Sequence, residues 1–279
     1  MALVQRELHE LHIPPLRRFG QHFLVDTKIR DELIQQARLT GNDLVLEIGA
    51  GLGFLTEALA KRINHLIAVE KDRTLAAHLR EKFSESRNVT ILYGDALEIP
   101  IPKDAKIVSS PPYNISSKLI FLILSSEFKT ATLLLQKEFG ERLTASSGSR
   151  DYGRITVMLR SKAEAKLVKN VSRSVFYPKP RVDSALINID PLKISLAIED
   201  RSIFTDLVRT LFTQRRRKLK SVLSRYISRQ YPAYKYGILS SVRVPERRVF
   251  ETTPEELADL TNQIARTLSE FTSGEIIDS

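Results

Sequence analysis

The chain has 279 residues and a mass of 31.7 kDa, which allows one large domain or a large domain with a small companion. Its hydrophobic fraction of 42% and charged fraction of 27% are typical of a water-soluble globular protein, and the absence of cysteine excludes disulfides, thiolate zinc sites and cysteine nucleophiles. The formal net charge is +10, the apolar runs are too short to span a membrane, and residues 1–15 lack the pattern of a secretion signal, so we expect a cytoplasmic protein without a metal centre.

Residues 43–190 alternate short β-branched runs with stretches of helical spacing, and a predicted helix precedes them. Asp26 is placed to cap a helix that runs to about Ala37, and strands separated by helices of this length are typical of a doubly wound, mostly parallel sheet. The predicted strands are Leu44–Ile48, Leu66–Glu70, Val89–Leu92, Lys106–Ser109, Thr132–Leu135, Lys166–Val171 and Leu186–Asp190. The predicted helices between them are Phe54–Arg62, Arg73–Ser84, Ser117–Leu124 and Glu138–Ala145. No clear helix separates the last two strands, so we predict an antiparallel pair there, within an α/β domain over residues 1–191.

A glycine-rich segment, Glu47–Gly53, lies at the turn between the first of these strands and its helix. Glycines at Gly49, Gly51 and Gly53 allow the backbone to turn sharply and to lie close to a ligand at the carboxyl end of the strand. The spacing is GxGxG and not the GxGxxG of dinucleotide enzymes, which argues against a nicotinamide dehydrogenase. Taken alone, the segment also fits a tight strand-to-helix turn that binds nothing.

Two carboxylates follow the next two strands. Glu70 ends the second strand, where an acid can accept hydrogen bonds from both ribose hydroxyls of a nucleoside. Asp95 follows the third strand, where it can accept a hydrogen bond from an adenine amino group. Each acid alone could equally cap a helix. Together, at successive strand ends on one sheet edge, they describe an adenosine site without a phosphate cradle, which S-adenosylmethionine fits.

The fourth strand runs into a proline-rich loop, Ser109–Ile115. Consecutive prolines make such a loop rigid and extended, so the planar face of Tyr113 is held at a fixed position. For transfer of a methyl group to an exocyclic amine, Ser110 and the carbonyl of Pro111 can hold the amine N–H groups and localise its lone pair, while Tyr113 stacks on the flipped base. A plain connecting loop is the alternative.

After Pro191 the pattern becomes helical. Apolar residues recur at helical spacing over 203–212 and 219–227, and Thr253 is placed to cap a third helix, so we predict a small helical domain over residues 192–279. Between Arg201 and Phe250 there are 13 Lys or Arg and only two acids. Such a local excess favours a nucleic-acid partner, although a solvated helix face is the alternative. The densest part contains the residues we predict to contact phosphates: Arg215, Arg216, Arg217, Lys218 and Lys220.

Taken in order, these segments resemble the KsgA-type ribosomal RNA adenine N6,N6-dimethyltransferases and their Erm relatives, over about Arg18–Leu260. The motifs that carry the resemblance are Phe19–Leu24, the glycine turn, Glu70–Asp72, Gly94–Ala96, Pro112–Ser116, Gln136–Glu138, Tyr152–Arg154, Phe176–Ser184 and Phe212–Lys218. The resemblance implies a Rossmann-like class I methyltransferase that uses S-adenosylmethionine. Its implied substrate is a pair of adjacent adenosines near the 3′ end of small-subunit ribosomal RNA, each methylated twice, on an immature small subunit bound by a monomer.

The resemblance also implies roles for individual residues. The implied cofactor contacts are His22, Leu24, Gly49, Gly51, Glu70, Asp95 and Ser110. The implied residues around the target base are Ser110, Pro112, Tyr113 and Phe176, with Phe176 packed on the base opposite Tyr113.

One position departs from the family pattern. Where the family usually has Asn-Leu/Ile-Pro-Tyr, this chain has Ser110-Pro111-Pro112-Tyr113, and Ser-Pro-Pro-Tyr also occurs in amino methyltransferases that act on cytosine in DNA. An amino methyltransferase for DNA is therefore a third hypothesis, disfavoured by the helical domain and by Phe176–Ser184. The second hypothesis is a ribosome-assembly factor that binds immature small subunits and methylates slowly or not at all, because a serine hydroxyl reaches less far than an asparagine amide.

Overall fold

A computed structural model describes residues 2–11 and 21–274. Its central element is a seven-stranded sheet, which confirms the predicted α/β, mostly parallel architecture. The strands, including a separate two-stranded pair of β1 and β8, are β1 Phe23–Leu24, β2 Leu44–Ile48, β3 His65–Glu70, β4 Val89–Tyr93, β5 Lys106–Ser109, β6 Thr130–Gln136, β7 Ala163–Val171, β8 Phe176–Tyr177 and β9 Ser184–Pro191. The sheet order is β4-β3-β2-β5-β6-β9-β7, with β4 to β6 parallel and β9 antiparallel to β6.

Some helices connect the strands of the sheet, and in the described part of the chain four more follow the last strand. They are α1 Ala2–Glu10, α2 Thr27–Gln36, α3 Phe54–Ala60, α4 Arg73–Lys82, α5 Ser116–Ser125, α6 Lys137–Leu143, α7 Arg154–Arg160, α8 Arg201–Phe212, α9 Leu219–Gln230, α10 Lys235–Ser241 and α11 Pro254–Gly274. Asp26 caps α2 as predicted, because its carboxylate accepts the Ile29 N–H at 3.0 Å. Over the described ranges, no helix combines the length and apolarity needed to cross a membrane.

The central strands form over short runs of residues in which apolar and polar side chains do not alternate regularly. β2, β5 and β6 lie in the middle of the sheet and are covered on both faces, so nearly all of their residues are buried. One core cluster joins them to α2 and α3 through residues such as Leu33, Val45, Leu59, Val108 and Leu134. This packing fixes the carboxyl ends of the central strands, where the candidate site lies.

Four short elements were not predicted from the sequence: α1, α7, α10 and the β1–β8 pair. α7 has the sequence RITVMLR, whose β-branched residues have low helix propensity, and it is helical because Ile155, Val157 and Leu159 are buried. The β1–β8 pair joins Leu24 to Phe176, residues far apart in the chain. Such contacts depend on the tertiary fold and leave no local pattern.

The chain divides into two compact units. The first holds the described residues up to Glu141 together with Glu164–Pro191, and the second holds Arg142–Ala163 together with the residues from Leu192 onward. The predicted division after residue 191 therefore has one departure, since residues 142–163 leave the predicted methyltransferase domain. The physical reason is that Tyr152 and Val157 are fully buried in the helical core, and the Tyr152 hydroxyl donates to the Thr252 carbonyl at 2.9 Å.

The second unit is helical. Its core is built from one face each of α8, α9 and α11, with α7 packed against α8 and α11. The helical spacing predicts one apolar face on α8 and one on α9. The residues of these faces are buried, for example Phe204, Leu211, Val222 and Tyr226. The polar faces, which carry the positive charge, are left exposed.

A buried ion cluster stabilises the opposite end of the sheet from the candidate site. Asp43, just before β2, accepts from Lys106 and Lys129 at 2.9 Å each and from the Thr40 backbone N–H at 2.7 Å. The Asp43 and Lys106 side chains are only 4% and 7% exposed. Burial favours the neutral carboxyl, but these donors together hold the pKa of Asp43 well below its usual range.

Candidate functional site

A pocket lies at the carboxyl ends of β2, β3, β4 and β5, where open α/β sheets bind ligands. Six of the seven residues predicted to contact a cofactor line it: His22, Gly49, Gly51, Glu70, Asp95 and Ser110. The seventh, Leu24, lines a smaller cavity that shares His22, Gly49, Gly51 and Ser110 with the first. Phe19 and Gly20, from the predicted N-terminal motif, lie outside the described residues.

The glycine turn has the backbone geometry that its sequence predicts. Gly49 and Gly51 have φ of +75° and +60°, values that favour glycine. A Cβ at Gly49 would lie 3.0 Å from Cδ of Pro112, and a Cβ at Gly51 would lie 3.0 Å from the Phe23 ring. Glycine is therefore required both by the left-handed turn and by the close approach of two other motifs.

Glu70 holds the glycine turn as well as facing the pocket. Its Oε2 accepts the Gly51 N–H and its Oε1 accepts the Asp72 N–H, both at 2.8 Å. Each carboxylate oxygen can accept a further hydrogen bond, so the side chain can still receive ribose hydroxyls. Burial raises the pKa of the Glu70 carboxyl, against the effect of these backbone donors. The sequence predicted the position but not this second role.

Asp95 is anchored on both oxygens. Oδ1 accepts the Leu97 N–H at 3.0 Å, and Oδ2 pairs with Nζ of Lys71 at 2.6 Å. The Lys71 ammonium holds the pKa of Asp95 below its usual range, so the carboxylate is charged at neutral pH. Lys71 also lines the pocket, as do Gly94 and Ala96. A fixed, charged acceptor at this strand end fits the predicted contact with an adenine amino group.

The proline-rich loop is tied to the sheet at its start. The Ser109 hydroxyl donates to the Ile48 carbonyl at 2.5 Å, joining the ends of β5 and β2. Ser110, Pro111 and Pro112 then line the pocket, and Tyr113 begins a short 3₁₀ turn. The loop therefore brings Ser110, two prolines and the Tyr113 ring to the pocket that Glu70 and Asp95 also line.

Tyr113 is surrounded by residues from distant parts of the first unit. Its hydroxyl lies 2.6 Å from Oγ of Ser184, and its ring centroid lies 5.7 Å from that of His22 and 6.3 Å from that of Phe176. Burial raises the pKa of the Tyr113 phenol, so it is neutral at physiological pH. His22 is itself fixed, because its Nδ1 donates to the Pro178 carbonyl at 2.7 Å. Tyr113 was predicted as a site residue, whereas Ser184 was named only as the last residue of the Phe176–Ser184 motif.

Phe176 is buried beside Tyr113. It is 1% exposed, does not line the pocket, and meets Tyr113 edge-on at an interplanar angle of 74°. The reason is its pairing with Leu24 in the β1–β8 ribbon, which buries the ring in the core of the first unit. In this structure Phe176 supports Tyr113 edge-on, and its packing on a base opposite Tyr113 stays a prediction.

A buried carboxyl that sequence reasoning did not single out lies below the glycine turn. Glu47 is 1% exposed, and its Oε2 has no hydrogen-bond partner among residues 2–11 and 21–274. Burial raises the pKa of Glu47 to about 8. Glu47 lines the smaller cavity together with Gly49, Gly51 and Ser110. This carboxyl is therefore mostly in its neutral form at neutral pH, and a cation nearby would favour the ionised form. Its position inside the glycine motif was the available signal.

The predicted phosphate-contact residues lie in the second unit and differ in exposure. Arg216, Arg217, Lys218 and Lys220 are exposed, whereas Arg215 is half-buried and donates to the carbonyls of Ser149 and Arg150. Arg215 also lies over the Phe250 ring, with its guanidinium carbon 5.6 Å from the centroid. It therefore holds the 149–150 loop in place and lines a groove with Arg216, and its contact with phosphate stays a prediction.

The same unit adds basic residues that the sequence motifs did not indicate. Backbone hydrogen bonds join 215–219 to 247–250, which places the exposed Arg247 and Arg248 beside the predicted basic segment. A groove in this unit is further lined by Arg142 and Arg150. The excess charge of the 201–250 region pointed to the neighbourhood of Arg247 and Arg248, but nothing local in the sequence pointed to Arg142 or Arg150.

Comparisons with known proteins agree with this geometry. A family model described as ribosomal RNA adenine dimethylase matches residues 16–259. The chain is 40% identical over 251 residues to a probable ribosomal RNA small subunit methyltransferase A of Methanosarcina barkeri, covering 88% of this chain and 86% of the relative. It is also 40% identical over 246 residues to the protein of that name from Thermococcus onnurineus, covering 86% of this chain and 89% of the relative.

Two solved structures are similar over most of the chain. A dimethyladenosine transferase from Plasmodium falciparum has a TM-score of 0.80 and 27% identity, covering 88% of this chain and 98% of that one. The 23S ribosomal RNA methyltransferase ErmE has a TM-score of 0.65 and 30% identity, covering 87% of this chain and 99% of that one. Both likenesses extend well beyond the sheet, since each covers most of the residues here.

Proposed function

Because the chain belongs to the ribosomal RNA adenine dimethylase family, we propose that it transfers methyl groups from S-adenosylmethionine to N6 of two adjacent adenosines near the 3′ end of small-subunit ribosomal RNA. The observation that carries this proposal is the junction of two features at one sheet edge. An adenosine-shaped pocket with Glu70 and Asp95 opens directly onto the loop that holds Ser110 and Tyr113. A cofactor and an acceptor base can therefore meet there.

The residues of the pocket fit S-adenosylmethionine. Its ribose and adenine are matched by Glu70 and Asp95. Its ammonium group would favour ionisation of the buried Glu47 carboxyl, which lines the smaller cavity. The pocket offers no phosphate cradle, and no group of three or more metal-ligating side chains occurs in the described part of the chain. When bound, the cofactor supplies an electrophilic methyl group on a sulfonium.

The protein side of the reaction is positioning and electrostatics. The adenine N6 lone pair is delocalised into the ring, so acceptors for its N–H groups are needed to localise it. The Ser110 hydroxyl and the Pro111 carbonyl supply such acceptors, and Tyr113 offers a planar face for the flipped base. Pro112 fixes the loop against Gly49, and Phe176 and His22 restrain the Tyr113 ring. No strong general base is required by this arrangement.

The second unit supplies the surface for RNA. Arg216, Arg217, Lys218 and Lys220 form an exposed basic surface with Arg247 and Arg248, and such clusters contact phosphates more often than base edges. Arg215 contributes by holding the neighbouring loop. We expect the partner to be the immature small subunit, bound by a cytoplasmic monomer.

Methyl transfer to isolated small subunits tests this function. Labelled S-adenosylmethionine is supplied with small subunits from a strain that lacks the modification, and the digested RNA is separated into adenosine, monomethyladenosine and dimethyladenosine. We expect dimethyladenosine at two adjacent positions and no transfer to mature, modified subunits. Binding to immature subunits without any transfer would contradict the enzymatic function and favour an assembly factor. Transfer to DNA alone would contradict the substrate.

The adenine contact leads to a prediction about the cofactor. Asp95→Ala should weaken S-adenosylmethionine binding by about 1.5 kcal/mol, roughly tenfold, because it removes a charged acceptor that Leu97 and Lys71 hold in place. Isothermal titration calorimetry measures the affinity directly. The matched control is Glu98→Ala, which removes an exposed acid three residues away that does not line the pocket. Equal affinities for the two variants would contradict the assignment of Asp95.

The basic surface leads to a prediction about salt. Replacing Arg216, Arg217 and Lys220 with glutamine should flatten the dependence of log affinity on log salt by about 0.7–0.9 for each phosphate that the variant no longer binds. Binding to unmodified small subunits at several salt concentrations measures this slope. The control replaces three exposed lysines of the first unit, Lys28, Lys61 and Lys103, with glutamine. If both triple variants keep the wild-type slope, the surface is a solvated face and does not bind RNA.

A further inference from the structure

The hydroxyl of Tyr113 has a partner that is separate from the loop carrying the ring. Ser184 Oγ lies 2.6 Å from Tyr113 Oη, and Ser184 is 0% exposed. Ser184 is the first residue of β9 and pairs with Gln136 of β6, so it belongs to the central sheet. The far end of the Tyr113 ring is therefore attached to the central sheet.

The other contacts of Tyr113 leave its orientation incompletely fixed. Phe176 meets the ring edge-on at 74°, and the His22 ring is inclined by 31°. Contacts of this kind limit where the ring lies but tolerate tilting, since aromatic pairs accept a range of offsets. A hydrogen bond at the hydroxyl is directional and holds the ring axis at its far end. Because the Tyr113 backbone lies in a short 3₁₀ turn, this bond is the direct tie between the ring and the sheet.

The bond is the kind that persists at physiological pH. Burial raises the pKa of the Tyr113 phenol, so both groups are neutral and either oxygen can donate to the other. Ser184 is fully buried and does not line the pocket. Its effect on the reaction must therefore pass through Tyr113.

We propose that Ser184 is a positioning residue for methyl transfer, which holds the face of Tyr113 in the orientation that the target adenine stacks upon. The proposal rests on the proposed function, because it gives Tyr113 the same partner base. It differs from a purely structural role for Ser184 in predicting a selective loss. Stacking and transfer should weaken, while binding of the cofactor through Glu70 and Asp95 is unchanged.

A double-mutant cycle tests the proposal. The variants are Ser184→Ala, Tyr113→Phe and the two combined, assayed by single-turnover transfer at saturating S-adenosylmethionine and saturating unmodified small subunits. We expect each single variant to transfer about three to ten times more slowly, and the double variant to be no slower than either single one. Affinity for S-adenosylmethionine should stay within about twofold of wild type. Independent effects that multiply in the double variant would overturn the proposal.

A matched control and a second measurement complete the test. Thr130→Val removes another buried hydroxyl from the β6–β9 pair, where Thr130 bonds Asp190 at 2.9 Å, and it should lower stability without slowing transfer. The second measurement is binding of adenosine to enzyme saturated with S-adenosylhomocysteine, which needs no turnover. We expect severalfold weaker binding in Ser184→Ala and in Tyr113→Phe.

The outcomes separate this proposal from the proposed function. A folded Ser184→Ala protein with wild-type transfer and wild-type adenosine binding would overturn the role of Ser184 alone. Wild-type protein that binds adenosine but methylates no small subunit would overturn the proposed substrate, and the adenosine measurement would still decide on Ser184. If the wild type does neither, both proposals fail. Should Ser184→Ala not fold, Tyr113→Phe removes the same bond from its other end and decides the question.

Discussion

Replacing Asp43 with asparagine should lower the free energy of unfolding by about 3–5 kcal/mol, the range observed when one partner of a buried ion pair is removed. The substitution leaves the ammonium of Lys106 buried without its counter-charge, since that side chain is only 7% exposed. Lys106 keeps its bonds to the carbonyls of Ala37 and Arg38, but these carry no full negative charge. Chemical denaturation monitored by circular dichroism measures the change.

Two companion variants separate the buried pair from the exposed one. Lys129 also bonds Asp43 but is 57% exposed, so Lys129→Met should cost less than about 1 kcal/mol. Lys106→Met in the Asp43→Asn background removes the unpaired cation and should recover part of the stability. A loss below about 1 kcal/mol for Asp43→Asn, or no recovery in the double variant, would contradict the assignment of this cluster.

The same cluster predicts how stability depends on pH. The pKa of Asp43 is held well below its usual range in the folded protein, whereas in the unfolded chain it returns to about 3.9. Its contribution is therefore complete above the unfolded pKa and is lost as the pH falls from there towards the folded pKa. The difference in unfolding free energy between wild type and Asp43→Asn should be constant above about pH 5 and shrink below about pH 4.

The elements that could be predicted are those with a strong local pattern. β2 and β5 were predicted to the residue because short apolar runs bounded by polar or turn residues are read directly from the sequence. β6 and β9 extend beyond the predicted Thr132–Leu135 and Leu186–Asp190, because pairing with β5 adds Thr130 to β6 and pairing with Gln136 adds Ser184 to β9. The pairing partner of a strand has no local signature.

The same distinction explains the site. Glu70 and Asp95 were predictable because parallel strands bring their carboxyl ends to one edge, so the sequence position of an acid also gives its place. The burial of Phe176 and the hydrogen bonds of Arg215 could not be predicted from the sequence. Both follow from contacts with residues distant in the chain, which are Leu24 for Phe176 and Ser149 for Arg215. Ser184 belongs to this second group.

The position that departs from the family pattern gives the sharpest test of catalysis. Ser110 follows β5 directly, and the neighbouring Ser109 is bonded to Ile48, so the start of the loop is held by the sheet. Pro112 lies against Gly49, since Cδ of Pro112 is 3.0 Å from the position that a Cβ on Gly49 would occupy. The loop therefore has no room to move closer to the glycine turn. A loop fixed on both sides of Ser110 cannot shift to compensate for the shorter reach of a hydroxyl.

From this anchoring we expect Ser110→Asn to raise the rate of methyl transfer and Ser110→Ala to lower it below wild type. The amide oxygen of asparagine reaches further towards the amine than the hydroxyl, whereas alanine leaves the Pro111 carbonyl as the remaining acceptor in the loop. The expected change is about 1–3 kcal/mol of barrier, or roughly tenfold to a hundredfold in rate. The second methylation should respond more strongly, since a monomethylated amine has one N–H left to hold. Single-turnover assays on unmodified small subunits, which resolve monomethyladenosine from dimethyladenosine, measure both steps.

The control makes the same chemical change where it should have no effect. Ser117→Asn lies seven residues further on, on the exposed surface of α5 and outside the pocket lining, and should leave the rate unchanged. RNA binding should be unchanged in all three variants, because the basic surface belongs to the second unit. Equal rates for Ser110→Asn, Ser110→Ala and wild type would show that residue 110 does not touch the reacting amine. A slower Ser110→Asn with a wild-type Ser110→Ala would show that the loop is fitted to a small side chain, and catalysis would then depend on the Pro111 carbonyl and on Tyr113.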